Sequence, residues 1–268
     1  MANDGNPSRV VWASGDAYEP YVGRWSRLVA REFLAWLNQP KSGRWLDVGC
    51  GTGALSNAIL ETAGPAAVHG IDPSEGFLAT ARRNITDPRV RLENGNAMNL
   101  PVESAGYDAV VSGLVLNFVP KPEQAVAELR RAVRPDGTVA LYVWDYGGEM
   151  QMMRRFWDAA VALDPAAQPL DESARFPLCK PAPLESLFRT AGFKDVAVRA
   201  IDVPTVFRDF DDYWTPFLSG QAPAPGYNMS LSEDRRAALR EHLRATLPFE
   251  ADGTLRLIAR AWAVRGRA

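Results

Sequence analysis

Apolar positions in this chain recur with two different periods, and the change between them maps its elements. Trp25, Leu28, Val29, Phe33, Trp36 and Leu37 recur at the three- and four-residue steps of a helix with one buried stripe, with Gly23 before the run and Pro40 to Gly43 after it. The pattern then shortens to apolar runs bounded by turn residues. Arg44 to Val48, Ala66 to Ile71, Val90 to Glu93, Tyr107 to Leu114 and Thr138 to Trp144 read as strands. Helical patterns separate them, as in Pro122 to Val133, where Ala125, Val126, Leu129, Ala132 and Val133 share a face, and Pro135, Asp136 and Gly137 turn the chain into the next strand. Strands alternating with helices predict a doubly wound, mainly parallel α/β sheet covered on both faces.

Beyond Asp145 the alternation breaks. Met150 to Leu163 reads as a helix, Asp164 to Pro183 with its five prolines as a loop, and Leu184 to Ala191 as a short helix ending at Gly192. Val196 to Val206 and Leu255 to Val264 read as two further strands, and Gln221 to Gly226 as a loop. Ser230 to Leu247 is the helix between those strands, with capping-box spacing from Ser230 to Glu233. The expected organisation is a single structural domain: residues 1–40 an N-terminal helical lid segment, 41–145 a ligand-binding α/β core, 146–192 a cap insertion and helix, and 193–268 the final strands with a second cap insertion.

Composition narrows the class. The 268 residues are 47% hydrophobic and 23% charged, as in an ordinary globular protein. The formal charge is −2, and the arginine pairs at 82–83, 130–131, 154–155 and 235–236 are scattered, which argues against nucleic acid as partner. The opening MANDGNPSRV lacks the apolar core of a signal peptide, and no uncharged apolar stretch of about 18 residues is present, so the expectation is a cytoplasmic protein, monomer or homodimer, with no membrane contact. Cys50 and Cys179 have neither metal-ligand nor disulfide-framework spacing and are expected to be free thiols, with no metal site.

The strongest chemical signal is Leu46-Asp47-Val48-Gly49-Cys50-Gly51-Thr52-Gly53, at the end of the first strand and opening into a helix near Ala54. Glycines here permit a tight turn and close approach of a ligand to free N–H groups. Two details separate the turn from the dinucleotide pattern G-x-G-x-x-G. The third glycine of that pattern would fall on Ala54, and Asp47 stands where a pyrophosphate must be admitted; an anion there repels phosphate and attracts an ammonium or a sulfonium. Asp72 ends the second strand 23 residues after Gly49, a distance suited to ribose hydroxyls, while Asn96 and Ala97 end the third strand within reach of a base edge.

In order, LDVGCGTG, GIDPSEGFL, GNAMNLP, YDAVVSGLVLNFVP and LRRAVRPDGTVALYVWD resemble the motifs of class I S-adenosylmethionine-dependent methyltransferases, over about Tyr18 to Asp145, and within that family the small-molecule branch of ubiquinone and menaquinone enzymes. The resemblance implies a Rossmann-like seven-stranded sheet whose last strand is antiparallel, with helical cap insertions. It implies S-adenosylmethionine as cofactor, S-adenosylhomocysteine as product and a small-molecule methyl acceptor as partner. Position by position, it implies that Asp47 with Gly49, Cys50, Gly51, Thr52 and Gly53 holds the methionine part, Asp72 with Pro73 the ribose, Asn96 and Ala97 the adenine, and the Leu114 carbonyl the amino group. Tyr21 and Arg24, in the segment YEPYVGRW, become candidates for a lid and for the cofactor carboxylate.

In-line methyl transfer demands positioning and exclusion of water more than a fixed catalytic motif. His69 and His242 are poorly placed, so no catalytic residue is assigned. Asn117, Asp145 and Glu149 are the polar residues expected to face an acceptor, with Trp144 and Tyr146 beside them. Phe156, Trp157, Phe210, Tyr213, Trp214 and Tyr227 suggest an aromatic-lined pocket. Two other readings share some motifs: a non-catalytic S-adenosylmethionine-binding regulator, and a nicotinamide-dependent oxidoreductase, with which Asp47 and Ala54 conflict.

Overall fold

A computed structural model describes residues 19–220 and 222–268; Tyr18, the rest of the segment before it and Gln221 lie outside the described residues. A π-helical turn, Glu19–Gly23, leads into α1, Arg24–Leu37, whose buried face is the expected stripe of Trp25, Val29, Phe33 and Leu37. The core then alternates as the apolar runs require: β1 Arg44–Val48, α2 Ala54–Thr62, β2 Ala67–Asp72, α3 Glu75–Asn84, β3 Val90–Asn94, β4 Tyr107–Gly113, α4 Pro122–Ala132 and β5 Val133–Trp144. Pro122 starts α4 where a missing N–H costs nothing, and Glu123 and the pair Arg130 and Arg131 stand at the ends that the helix dipole favours. The expected turn at 135–137 is absorbed into β5 as an irregularity. Pairing jumps from Tyr107↔Val133 to Ala109↔Thr138, and Asp136 takes φ +60°.

The remaining elements are α5 Gln151–Leu163, α6 Glu172–Arg175, α7 Pro181–Thr190, β6 Lys194–Phe207, α8 Phe210–Trp214, α9 Pro223–Ser230, α10 Glu233–Thr246 and β7 Leu255–Arg267. Three expectations are corrected here. The proline-rich stretch is not a plain loop but a 3₁₀ turn, Pro165–Leu170, followed by α6 and the start of α7. Residues 223–226 are helical, because prolines at the start of α9 satisfy the helix rather than break it. The cap of α10 is Ser232, whose hydroxyl accepts the Arg235 N–H, and not Ser230, whose hydroxyl turns back to the Tyr227 carbonyl.

The seven strands run in the order β3-β2-β1-β4-β5-β7-β6, with β7 antiparallel to both neighbours and the first five strands parallel. Strand β1 is buried on both faces through Trp45, Leu46 and Val48, as a central parallel strand must be. Edge strand β6 alternates buried Ile201, Val203 and Phe207 with outward Asp202 and Pro204, and a proline is tolerated there. The strand order reverses between the parallel neighbours β1 and β4, and this switch point opens a crevice at the carboxyl ends of the strands, the position where such sheets bind ligands.

Candidate functional site

That crevice is a cavity of about 640 Å³, within the size range of small-molecule sites. Its floor is the turn after β1. Gly49, Gly51 and Gly53 all have left-handed backbones, at φ +75°, +55° and +93°, and the Gly49 and Cys50 N–H groups both donate to the Ile71 carbonyl of β2. Packing explains two of the glycines, since a Cβ at Gly49 would strike Val115 and one at Gly53 would strike Ile85. Gly51 differs: it lines the cavity, and a Cβ there would meet no protein atom within 4 Å. Its bare backbone faces open space sized for a ligand.

Two carboxyls flank the turn. Asp47 has no exposed surface; its Oδ2 accepts the Ser56 hydroxyl at 2.7 Å, and its Oδ1 has no partner. Burial pushes its pKa up to about 7, the Ser56 bond opposing and the Asp72 charge adding. Asp72 accepts the Ser74 N–H at 2.8 Å and the Gly51 N–H at 2.9 Å, one on each oxygen, and burial raises its pKa against the pull of those bonds. An unpartnered buried carboxylate oxygen suits a cationic group, while the second acid, fixed by backbone donors, keeps lone pairs for hydroxyls. Cys50 is buried and unpaired, and burial raises its thiol pKa, so it stays protonated.

Most of the expected residues meet in this cavity: Tyr21, Thr52, Pro73, Leu114, Asn117, Trp144 and Tyr146 all line it. Leu114 holds φ +63° at the end of β4, its N–H donating to the Tyr142 carbonyl at 2.8 Å, a costly backbone for a branched residue and of the kind that clusters at ligand sites. Asn117 sits in the 3₁₀ turn Leu116–Phe118 with both amide atoms buried and unpartnered, and the Tyr21 hydroxyl is likewise unpartnered.

Others are placed elsewhere. Gly53 backs onto Ile85, outside the lining. Arg24 pairs with Asp212 at 3.1 Å through Nη1, lies over the Trp25 and Phe207 rings at 4.3 and 4.9 Å, keeps Nε and Nη2 buried without a hydrogen bond, and is not among the residues lining the cavity. Asn96 spends its Oδ1 on the Met98 N–H at 2.9 Å to close its own turn, and neither it nor Ala97 reaches the cavity. The Asp145 Oδ2 accepts the Glu149 N–H, and the Glu149 Oε2 accepts from the Gln151 side chain, so both acids hold the entry to α5 instead of facing an acceptor. The aromatics Phe156, Trp157, Phe210, Tyr213, Trp214 and Tyr227 form the core of the cap, as in the 4.4 Å stack of Phe156 on Phe217.

The aromatic lining comes instead from Tyr21, Phe77, Phe118, Tyr142, Trp144, Tyr146 and Phe176. Glu172, Arg175 and Phe176 of the first insertion were not anticipated, nor were Ser26 and Met153. For the residues of the first insertion the sequence signal is an Asp cap, Asp171, which accepts the Ser173 N–H among the prolines and so marks a helix start. The cavity walls therefore have three sources: the segment before and into α1 through Tyr21, Val22 and Ser26, the first insertion, and Ala222 and Pro223 of the second.

Residues 46–141 match a methyltransferase domain family. The chain is 30% identical to a demethylmenaquinone methyltransferase of Geobacillus sp. (strain WCH70) over 68% of its own length and 87% of the relative's. It is 30% identical to a trans-aconitate 2-methyltransferase of Variovorax paradoxus over 54% of its length and 55% of that protein's. Among solved structures, the Haemonchus contortus phosphoethanolamine N-methyltransferase 2 in complex with phosphomonomethylethanolamine and S-adenosylhomocysteine shares the fold at TM-score 0.59 and 19% identity, over 94% of this chain and 56% of that one.

Proposed function

The chain belongs to the class I S-adenosylmethionine-dependent methyltransferases, and from that premise we propose that it methylates a small organic acceptor held between the Asp47–Asp72 floor and the aromatic wall of the same cavity. One observation carries the assignment of the cofactor half: Gly51, left-handed with open space where its Cβ would be, lines the same cavity as Asp47, whose Oδ1 is buried and unpartnered. In this reading the Asp47 Oδ1 receives the cofactor's ammonium and Asp72 its ribose hydroxyls. The adenine role expected of Asn96 and Ala97 passes to Ser74 and Phe77, which line the cavity one strand nearer.

S-adenosylmethionine supplies an electrophilic methyl group on a sulfonium. Everything else is positioning by the chain. Tyr21 and Val22 from one side and Tyr146, Met153 and Phe176 from the other exclude water from the transfer path, and Trp144 with Tyr142 forms the wall against which an apolar acceptor lies. The Asn117 amide, desolvated with a donor and an acceptor unused, orients the acceptor's polar group, since leaving both unmade costs more than one ordinary hydrogen bond. A free small molecule as acceptor is supported by the largely apolar lining and by the small-molecule names of the two relatives. No helix among the described residues is long and apolar enough to cross a membrane.

Titration calorimetry with S-adenosylhomocysteine tests the site. The native chain binds; Gly51→Val, which puts a branched side chain into the cavity and onto a left-handed backbone, loses binding by roughly 100-fold or more, equivalent to about 2.7 kcal/mol, while its circular dichroism stays native. Unchanged affinity in that variant removes the assignment.

A further inference from the structure

Glu172 is a carboxyl acid buried in the wall of the cavity, and no part of the reading above uses it. It is the first residue of α6, only 1% exposed, and yet it lines the cavity beside Arg175 of its own helix and Phe176 just after it. Its carboxylate accepts the indole N–H of Trp157 from α5. Its neighbour Asp171 is gripped by Arg154 through two bonds, at 2.7 and 3.1 Å. The carboxyl group is therefore held in place from α5 and from its own turn. Tyr21, from the N-terminal side, has its hydroxyl pKa raised first by burial and then by the charge of Glu172.

The surroundings select the acceptor. Phe118 and Phe176 meet edge to face at 5.2 Å and Tyr146 lies 5.2 Å from Phe176, so the three rings pack into one continuous aromatic wall of the cavity. The cavity's described charged lining is three acids, Asp47, Asp72 and Glu172, against one cation, Arg175. A carboxylate acceptor would set a second anion beside the ionised Glu172, whereas a neutral molecule would not.

We propose that Glu172 is the proton acceptor of the transfer and that the acceptor is a neutral phenol; this rests on the cofactor site described above. The phenolic oxygen forms its bond to the methyl carbon as the methyl–sulfur bond breaks, with that electron pair remaining on sulfur. The phenolic proton passes to the Glu172 carboxylate. The products are an aryl methyl ether, neutral S-adenosylhomocysteine sulfur and a protonated Glu172, so the charge of sulfonium and carboxylate cancels in the step. A phenol is the hydroxyl acceptor such a base serves best, because its acidity, like that of tyrosine at about 10, is far closer to a carboxyl's than that of an aliphatic alcohol. Burial pushes Glu172 up to about 8, with Asp171 adding and Arg175 and the Ala224 N–H opposing. A base with that value is poised near working pH.

The test measures methyl transfer to 1-naphthol, catechol and hydroquinone from pH 6 to 9.5, beside benzoate and benzylamine, with S-adenosylhomocysteine affinity measured in parallel. At saturating S-adenosylmethionine, which removes the pH dependence of cofactor binding, the native chain should methylate at least one phenol, with the acceptor kcat/KM rising about tenfold per pH unit and levelling above about pH 8. Glu172→Gln, which keeps an oxygen for the Trp157 N–H, should lose about 10²–10⁴-fold in kcat and lose the pH limb, with S-adenosylhomocysteine affinity within about twofold of native. Glu172→Asp should recover part of the rate and the limb. Turnover of benzoate or benzylamine alone, no phenol turnover by a chain that binds S-adenosylhomocysteine, a pH limb surviving in Glu172→Gln, or loss of folding in both variants each overturns the proposal. Failure of the native chain to bind S-adenosylhomocysteine overturns the cofactor site first.

Discussion

Asp47 shows how one side chain couples stability to ligand binding. A carboxyl with no exposed surface and one bare oxygen is destabilised as the anion, so the native state binds its proton more tightly than the unfolded chain does. The sign follows from linkage: the native state gains from this group in full below about pH 4 and loses that gain as pH rises toward about 7, at roughly 1.4 kcal/mol for each pH unit crossed. Asp47→Asn should therefore gain stability relative to the native chain on going from pH 5 to pH 8, measured by urea unfolding at both values. Binding an ammonium reverses the preference. S-adenosylhomocysteine should bind more tightly as pH rises from 5.5 to 7.5, with proton release visible as a calorimetric enthalpy that changes between phosphate and Tris buffers. An affinity flat across that range would show that Asp47 does not meet the cation.

At the scale of elements, Arg154 of α5 acts as a clasp for the first insertion. It bonds Asp158 on its own helix at 2.9 Å, reaches the Tyr146 carbonyl at 3.3 Å, and pairs with Asp171, whose side chain is 2% exposed. Arg154→Met would leave Asp171 buried without a cation. The cost should be on the order of 2–3 kcal/mol, below that of a fully buried pair because Arg154 is partly solvated. It should fall on the cap: hydrogen exchange should quicken in residues 164–180 and stay native in β1 and β4, and uniform quickening would refute a local clasp. The sequence makes the strands and the turn after β1 legible because burial on both faces leaves unbroken apolar runs, and because glycines and Asp47 have few other uses at a strand end. It hides α6, since Asp171 and Glu172 among prolines look like a solvated loop until Arg154 and Trp157 arrive from α5. Likewise Arg24 looks available for a carboxylate only while Asp212, 188 residues away, is out of view. Helix α9 escapes notice for the same reason: the Asn228 amide bonds the Phe217 carbonyl at 3.1 Å, and such tertiary contacts outweigh the poor helix propensity of its prolines and glycine.

The whole molecule divides the work of the cavity between sheet and insertions. The ends of β1 and β2 supply Asp47, the glycine turn and Asp72, while Tyr146, Met153, Glu172 and Phe176 come from chain inserted after β5. Substitutions should then separate into two kinetic classes. Asp72→Ala removes a fixed charged acceptor on the sheet side and should weaken S-adenosylhomocysteine by about 1–3 kcal/mol, raising the KM for S-adenosylmethionine while the KM for the acceptor stays near native. Tyr146→Ala removes an aromatic wall on the insertion side, 5.2 Å from Phe176, and should raise the acceptor KM or lower kcat with S-adenosylhomocysteine affinity within about twofold of native. The two effects should add in the double variant, because residues that serve separate ligands without a shared partner contribute independently. Strong non-additivity, or a Tyr146→Ala variant that loses S-adenosylhomocysteine binding, would mean that the insertion closes over the cofactor itself and that the two halves act as one site.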